Sequence, residues 1–186
     1  MPVSTASAEV TARRVVLLTN PAAGKGRGDR VAATADVWLS GAGWHVDRVA
    51  GRDADEALDL ARAAAADDDV DALVACGGDG LVNVALQAVA GTGTPLGIVP
   101  AGTGNDIARA IGVPLGDAAA AAAHLMAWRP RRMDLARIGD RYFASVLAAG
   151  FDAVVNERAN RMTWLRAVPA ALSVIAPAPT TPPSHG

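Results

Sequence analysis

The sequence predicts an α/β fold, a parallel sheet with helices on both faces, followed by the start of a β-rich unit. Three observations carry this. Short apolar runs of strand type alternate with alanine-rich stretches of helix type, the pattern of parallel strands joined by crossover helices. Three glycine-rich loops each follow a strand-like run and precede a helix-like one. Near residue 130 the rhythm changes to two strand-like runs joined by Gly139-Asp140, a tight-turn dipeptide.

In chain order, Arg14 to Thr19 (RVVLLT) reads as the first strand, followed by a glycine-rich loop at Asn20 to Gly28 and a helix from about Asp29 to Leu39. Trp44 to Val49 is a weaker strand. Asp53 to Ala66 carries Ala54, Ala57, Leu58 and Ala61 at helical spacing, with Asp53 placed to cap its N-terminus. Ala72 to Cys76 is a buried strand running into Gly77-Gly78-Asp79-Gly80, and Leu81 to Ala90 is a helix ending at Gly91. Pro95 to Val99 is a strand. The loop Ala101 to Asn105 leads into a short helix near Asp106 to Ile111, and Asp117 to Trp128 is a helix made largely of alanine. Arg132 to Ile138 and Arg141 to Leu147 form the closing pair of strands.

Composition bounds the function. The chain has 186 residues, 51% hydrophobic, with 17 basic against 19 acidic side chains and a net charge of −2. At ~100 to 200 residues per domain this allows one full domain and the start of another. Scattered, near-balanced charge offers no basic stripe for nucleic acid. Half the residues are apolar, so the chain as a whole is not disordered. The single cysteine, Cys76, forms no internal disulfide, which fits a reducing, cytoplasmic setting. Glu9 stands where a secretory signal would need apolar residues. Prolines and glycines interrupt the long uncharged runs, so neither offers the ~20 unbroken apolar residues of a membrane span. The expected organisation is a disordered leader over 1–13, an α/β domain over 14–130, a change of architecture opening a second, incomplete unit over 131–168, and a Pro/Ala/Thr-rich disordered tail over 169–186.

The chemistry concentrates in the three loops, which parallel topology gathers at the carboxyl edge of one sheet, where open α/β folds bind ligands. Glycines there let backbone N–H groups approach phosphate oxygens, and helix N-termini favour anions; the bland alternative is that glycine is common in tight turns. Asp79 lies among glycines, where an unaccompanied carboxylate would repel a phosphate. A divalent cation between them resolves the conflict, whereas the structural alternative makes Asp79 a helix cap. In the third loop Thr103 can donate to a phosphate and Asp106 can act on metal-bound water, against a plain capping role for Asn105 and Asp106. The first loop is neither a Walker A, because Gly26 follows Lys25, nor GxGxxG, because Val31 replaces the last glycine.

NPAAGKGRG at 20–28, GGDG at 77–80 with Asn83 after it, and PLGIVPAGTGNDIAR at 95–109 occur in the order and spacing of the diacylglycerol kinase catalytic domain family, which the chain resembles over roughly residues 14–160. The resemblance implies a nucleotide-binding domain related to those of NAD kinases and phosphofructokinases, then a β-rich lipid-binding domain. It implies ATP and Mg²⁺ as cofactors. Nucleotide-binding positions are then Asn20, Pro21, Gly24, Gly26, Gly77, Gly78, Gly80, Gly102, Thr103, Gly104 and Asn105. Asp79 and Asp106 are the catalytic carboxylates and, with Asp134, the positions organising the metal. Taken alone, Asp134 reads as an exposed strand residue between apolar neighbours.

The implied reaction is transfer of the ATP γ-phosphate to the hydroxyl of diacylglycerol or a similar lipid, giving phosphatidic acid, with peripheral membrane contact and no nucleic acid; homodimerisation is left open. Two features depart from the family pattern. Leu81 stands where threonine usually follows GGDG, with Val84 where glutamate is common. Most of the β-rich domain has no counterpart, and neither does the acidic general base expected there, so impaired turnover is expected. An NAD kinase-like phosphotransferase and a non-catalytic nucleotide-binding fragment are the alternatives.

Elsewhere the structural readings are favoured. His45 and His124 have no partner at metal-ligand spacing. Asp67-Asp68-Asp69 with Asp71 reads as an exposed link, and Cys76 as a small core residue. Arg129, Arg131 and Arg132 suit either anionic headgroups or a solvated turn.

Overall fold

The computed structural model describes residues 12–20, 27–144 and 170–175. Its elements are β1 (Arg14–Thr19), α1 (Arg27–Gly41), β2 (His45–Ala50), α2 (Ala54–Ala66), β3 (Ala72–Gly77), α3 (Asp79–Val89), β4 (Leu96–Pro100), α4 (Asp106–Ala110), α5 (Ala118–Met126), β5 (Pro130–Ile138), β6 (Arg141–Phe143) and β7 (Ala170–Ile175). The sheet order is β2-β1-β3-β4-β7-β5-β6. β2, β1, β3 and β4 are parallel, and β5 pairs antiparallel with both β6 and β7. The expected α/β layer followed by a small antiparallel unit is therefore observed.

Burial explains the strand assignments. β3 is buried along its whole length, as a central parallel strand covered on both faces must be, whereas β2, at the edge, is half-exposed. α2 packs beside α3 and α1 beside α5, the arrangement that right-handed crossovers on opposite faces produce. α5 lies close on β4: a methyl added at Gly97 would stand 2.8 Å from Leu125 Cδ2 and 3.1 Å from Val74 Cγ2. The helix starts are fixed locally. The Asp53 carboxylate accepts from the Glu56 N–H at 2.9 Å, and Asp117 from the Ala119 and Ala120 N–H groups at 2.9 and 3.0 Å.

One expectation is corrected. The Pro/Ala-rich segment beyond residue 168 contains β7, which pairs with β4 through Leu96↔Val174 and with β5 from Pro130↔Ile175 to Leu135↔Ala170. Ala-Ala-Leu-Ser-Val-Ile is an uncharged, proline-free run, and β4 and β5 each offer it an open edge of backbone donors and acceptors. Composition alone did not separate this run from its flanks. The leader over 1–11, most of the expected β-rich segment and the last residues of the tail lie outside the described residues, as does the end of the strand expected to reach Leu147.

Side chains stitch the amino edge of the sheet. Arg14 donates from Nε to Asp47 and from an Nη to Asp67, both at 2.9 Å, while Asp71 accepts from the Arg14 N–H at 2.8 Å and pairs with Arg13. Asp67 and Asp71 thus serve as partners for β1 as well as links before β3. The Asp67 carboxyl sits below its ordinary range because the Asp69 N–H and the Arg14 guanidinium stabilise its charged form. Arg13 also stacks 3.8 Å from the Trp128 ring centroid, and Trp128 meets Trp44 edge-on. His45, largely exposed, lies 3.1 Å from Asp47.

Cys76, 1% exposed on β3, has its thiol pushed up to about 12 by burial, with Asp29 adding and Arg48 opposing. Against an ordinary value near 8.5, alkylation by iodoacetamide at pH 8 is expected to run about a thousandfold slower in the folded protein than in urea. Equal rates would contradict this burial. Because the fold retains the proton, stability linked to this thiol is complete below about pH 8.5 and is lost as pH rises toward 12.

The antiparallel unit is fastened to the α/β layer by Gln87, whose Nε2 donates to the Tyr142 carbonyl at 2.7 Å and whose Oε1 accepts from the Tyr142 N–H at 2.9 Å. One side-chain amide therefore serves β6 as an adjoining strand would. Gln87→Leu leaves both backbone groups without that partner and is expected to cost about 1–3 kcal/mol in urea denaturation; an unchanged midpoint would show that the clamp contributes nothing.

Candidate active site

Register places the strand ends level. Thr19 pairs with Cys76, and Gly77 with Pro100, so the chain leaves β1, β3 and β4 along one carboxyl edge. The Ala101 N–H donates to the Gly77 carbonyl at 2.9 Å, carrying the contact between the second and third loops one residue beyond the strands. Past that point the two backbones touch. A methyl at Gly102 would lie 2.5 Å from the Gly78 Cα, and one at Gly78 would lie 3.2 Å from the Gly102 Cα. These glycines are needed for close approach as well as for any ligand.

The GGDG element is shorter as a loop than the sequence suggests. Gly77 ends β3, Gly78 is the N-cap of α3, and Asp79 and Gly80 already belong to its first turn. Asp79 does not cap its own helix. Its Oδ1 accepts from the Asp106 N–H at 2.8 Å and, more weakly, from the Ile107 N–H at 3.4 Å, so it caps α4 from 27 residues away. The cap expected on the helix that follows GGDG is thus found on α4 instead, and it engages only Oδ1 of Asp79.

The third loop is braced from within. Asn105 adopts the left-handed conformation, φ 56°, and its side chain turns back onto Gly102, accepting from its N–H at 3.0 Å and donating to its carbonyl at 2.8 Å. Asn105 is an N-cap by position, with its amide engaged in the loop. Asp106 Oδ1 accepts from Arg109 Nη1 at 2.6 Å, and Arg109 Nη2 donates to the Gly104 carbonyl at 2.9 Å.

These bonds leave the other oxygen of each carboxylate facing one space. A methyl built on Gly104 would stand 2.7 Å from Asp79 Oδ2 and 3.9 Å from Asp106 Oδ2. The missing side chain of Gly104 thus keeps open a cradle bordered by two carboxylate oxygens at the mouth of the sheet. Asp134 is not brought to it. That residue is exposed on β5, paired with Ala171, and among the described residues no group of three His, Cys, Asp or Glu is gathered closely enough to hold a metal.

The remaining expected positions fall as follows. Asn20 is exposed directly after β1, Thr103 is exposed in the third loop, and Gly80 is exposed in the first turn of α3. Pro21, Gly24 and Gly26 lie outside the described residues. Beyond them, Asp29 near the start of α1 pairs with Arg48 at 2.7 Å. Leu81, in place of the family's threonine, is buried, and a methyl on Gly77 would be 2.8 Å from its Cδ2; at this position the chain uses packing in place of a hydroxyl. Val84 is half-buried against the core. Sequence reasoning assigned no role to Arg109, although its place three residues after Asp106 on a helix was the available signal. Among the described residues no helix is long and apolar enough to cross a membrane.

Comparison with known proteins agrees with this geometry. Residues 14–138 match the model of the diacylglycerol kinase catalytic domain. A diacylglycerol kinase of Mycobacterium tuberculosis is 45% identical over 156 residues, covering 81% of this chain and 50% of that protein. A Pseudomonas syringae protein named "Probable lipid kinase YegS-like" is 41% identical over 85 residues, covering 45% and 27% respectively. A crystal structure of a diacylglycerol kinase from Bacillus anthracis strain Sterne superposes with a TM-score of 0.62 at 26% identity, over 72% of this chain and 48% of that one. The chain spans about half the length of the Mycobacterium tuberculosis relative. Because the matching region takes in β1 to β5, the GGDG turn and the whole braced third loop, the chain belongs to the diacylglycerol kinase catalytic domain family.

Proposed function

We propose that this chain supplies the nucleotide- and cation-binding half of an ATP-dependent lipid kinase, passing the γ-phosphate to the hydroxyl of diacylglycerol or a related lipid to give phosphatidic acid. The observation that carries the reading is the cradle at Gly104, where Asp79 and Asp106 each turn one oxygen toward the same space while the other oxygen is held by the protein. Mg²⁺ is usually held by one or two carboxylates, with waters and substrate phosphates completing its shell, and this donor set fits it. Asp79 and Asp106 would hold the ion. When bound, it would neutralise phosphate charge that otherwise builds up during transfer.

The chain's own groups account for the rest. Backbone N–H groups around Gly78 and Thr103 are offered to phosphate oxygens along a glycine-lined edge, and close packing of the two loops keeps them in place for phosphoryl transfer, which depends on positioning. Arg129, Arg131 and Arg132 are exposed beside the start of β5 and supply cationic groups suited to anionic headgroups at a membrane surface.

Titration calorimetry with ATP, in MgCl₂ and in EDTA, tests the binding half. Asp79→Asn and Asp106→Asn are expected to remove the tightening that Mg²⁺ brings, by about 10- to 100-fold, with thermal melts confirming that both variants fold. ATP affinity indifferent to Mg²⁺ in the unsubstituted chain would overturn the cation assignment. With radiolabelled ATP, transfer to diacylglycerol is expected far below the rate of a full-length relative; label found on NAD⁺ alone would favour the NAD kinase-like alternative.

A further inference from the structure

Arg109 joins the cation site to the loop that carries it. Its guanidinium reaches two acceptors at once, Asp106 Oδ1 at 2.6 Å and the Gly104 carbonyl at 2.9 Å, in a planar fork spanning the entry to α4. An exposed i,i+3 ion pair of this kind contributes little to stability. Its consequence is geometric. Holding Oδ1 fixes the rotation of the Asp106 carboxylate, and that leaves Oδ2 on the Gly104 side, where Asp79 Oδ2 also lies. Asp79 is oriented independently, through the Asp106 N–H on its Oδ1. Each carboxylate of the pair thus has its own orienting donor, and the positive guanidinium offsets two like charges brought close together.

We propose that Arg109 is the positioning residue of the cation site, presenting Asp106 Oδ2 to the divalent ion that accompanies the nucleotide while pinning the third loop through Gly104. The inference rests on the Mg²⁺–ATP reading given above. It makes Arg109 act through Asp106, without touching the phosphates. Lysine, a point charge without a fork, cannot hold both acceptors in this geometry.

The test measures ATP affinity by calorimetry on the full chain, with and without MgCl₂, for Arg109→Ala, Arg109→Lys, Asp106→Asn and the Arg109→Ala/Asp106→Asn double variant. Arg109→Ala is expected to lower the Mg²⁺-dependent gain about tenfold, with a clearly smaller loss of affinity in EDTA from loosening of the third loop. Arg109→Lys is expected to remain impaired, and the double variant to lose no more than Asp106→Asn alone. Melting temperatures of the Arg109 variants should stay near that of the parent, which separates positioning from general loosening.

Four results would overturn the proposal: an undiminished Mg²⁺ gain in Arg109→Ala, an equal loss in EDTA, full rescue by lysine, or additive losses in the double variant. If the parent chain itself shows no Mg²⁺ gain, the cation reading fails and the positioning role fails with it, whereas a normal parent beside an unaffected Arg109→Ala condemns the positioning role alone.

Discussion

The site depends on one hydrogen bond, from the Asp106 N–H to Asp79 Oδ1 at 2.8 Å. It joins the first turn of α3 to the first turn of α4, and it places a carboxylate where the unsatisfied N–H groups of a helix start concentrate positive potential. A five-residue helix such as α4 has little stability of its own. Its orientation must come from outside, and Asp79 provides it. Because that bond uses one oxygen only, the same residue is left with a second oxygen for chemistry.

Close backbone contact makes this bond possible. Gly78 and Gly102 approach nearer than any side chain would permit, and level strand ends at Gly77 and Pro100 set the distance from which the loops start. Asn105 and Arg109 then lock the third loop from its two sides, the first through Gly102 and the second through Gly104. Glycine gives this edge its narrowness, and the polar side chains give it rigidity.

The two ends of the sheet divide the labour. At the amino edge, Arg13 and Arg14 meet Asp47, Asp67 and Asp71, and an aromatic pair closes over Arg13. Those contacts saturate one another. At the carboxyl edge, carboxylate oxygens and glycine-lined backbone face outward. The saturated ion pairs and the glycine-lined loops thus lie at opposite ends of the same strands, and it is the carboxyl end at which open α/β sheets generally bind ligands.

Much of this was legible from the residues alone. Period and composition determined the order of strands and helices, because a buried parallel strand such as ALVACG and an alanine-rich amphipathic helix differ in pattern over their whole length. The caps at Asp53 and Asp117 were equally plain, since they act within three residues of sequence. Motif order identified the family and singled out Asp79 and Asp106. Only the tertiary structure decided the long-range matters. That Asp79 caps α4, that Gln87 serves β6 and that β7 enters between β4 and β5 are pairings across 27 to 78 residues. Local pattern fixes what an element is, because propensity and periodicity act along the chain. Which groups meet is settled by satisfying backbone and side-chain polar groups in three dimensions, and no short window of sequence contains that information.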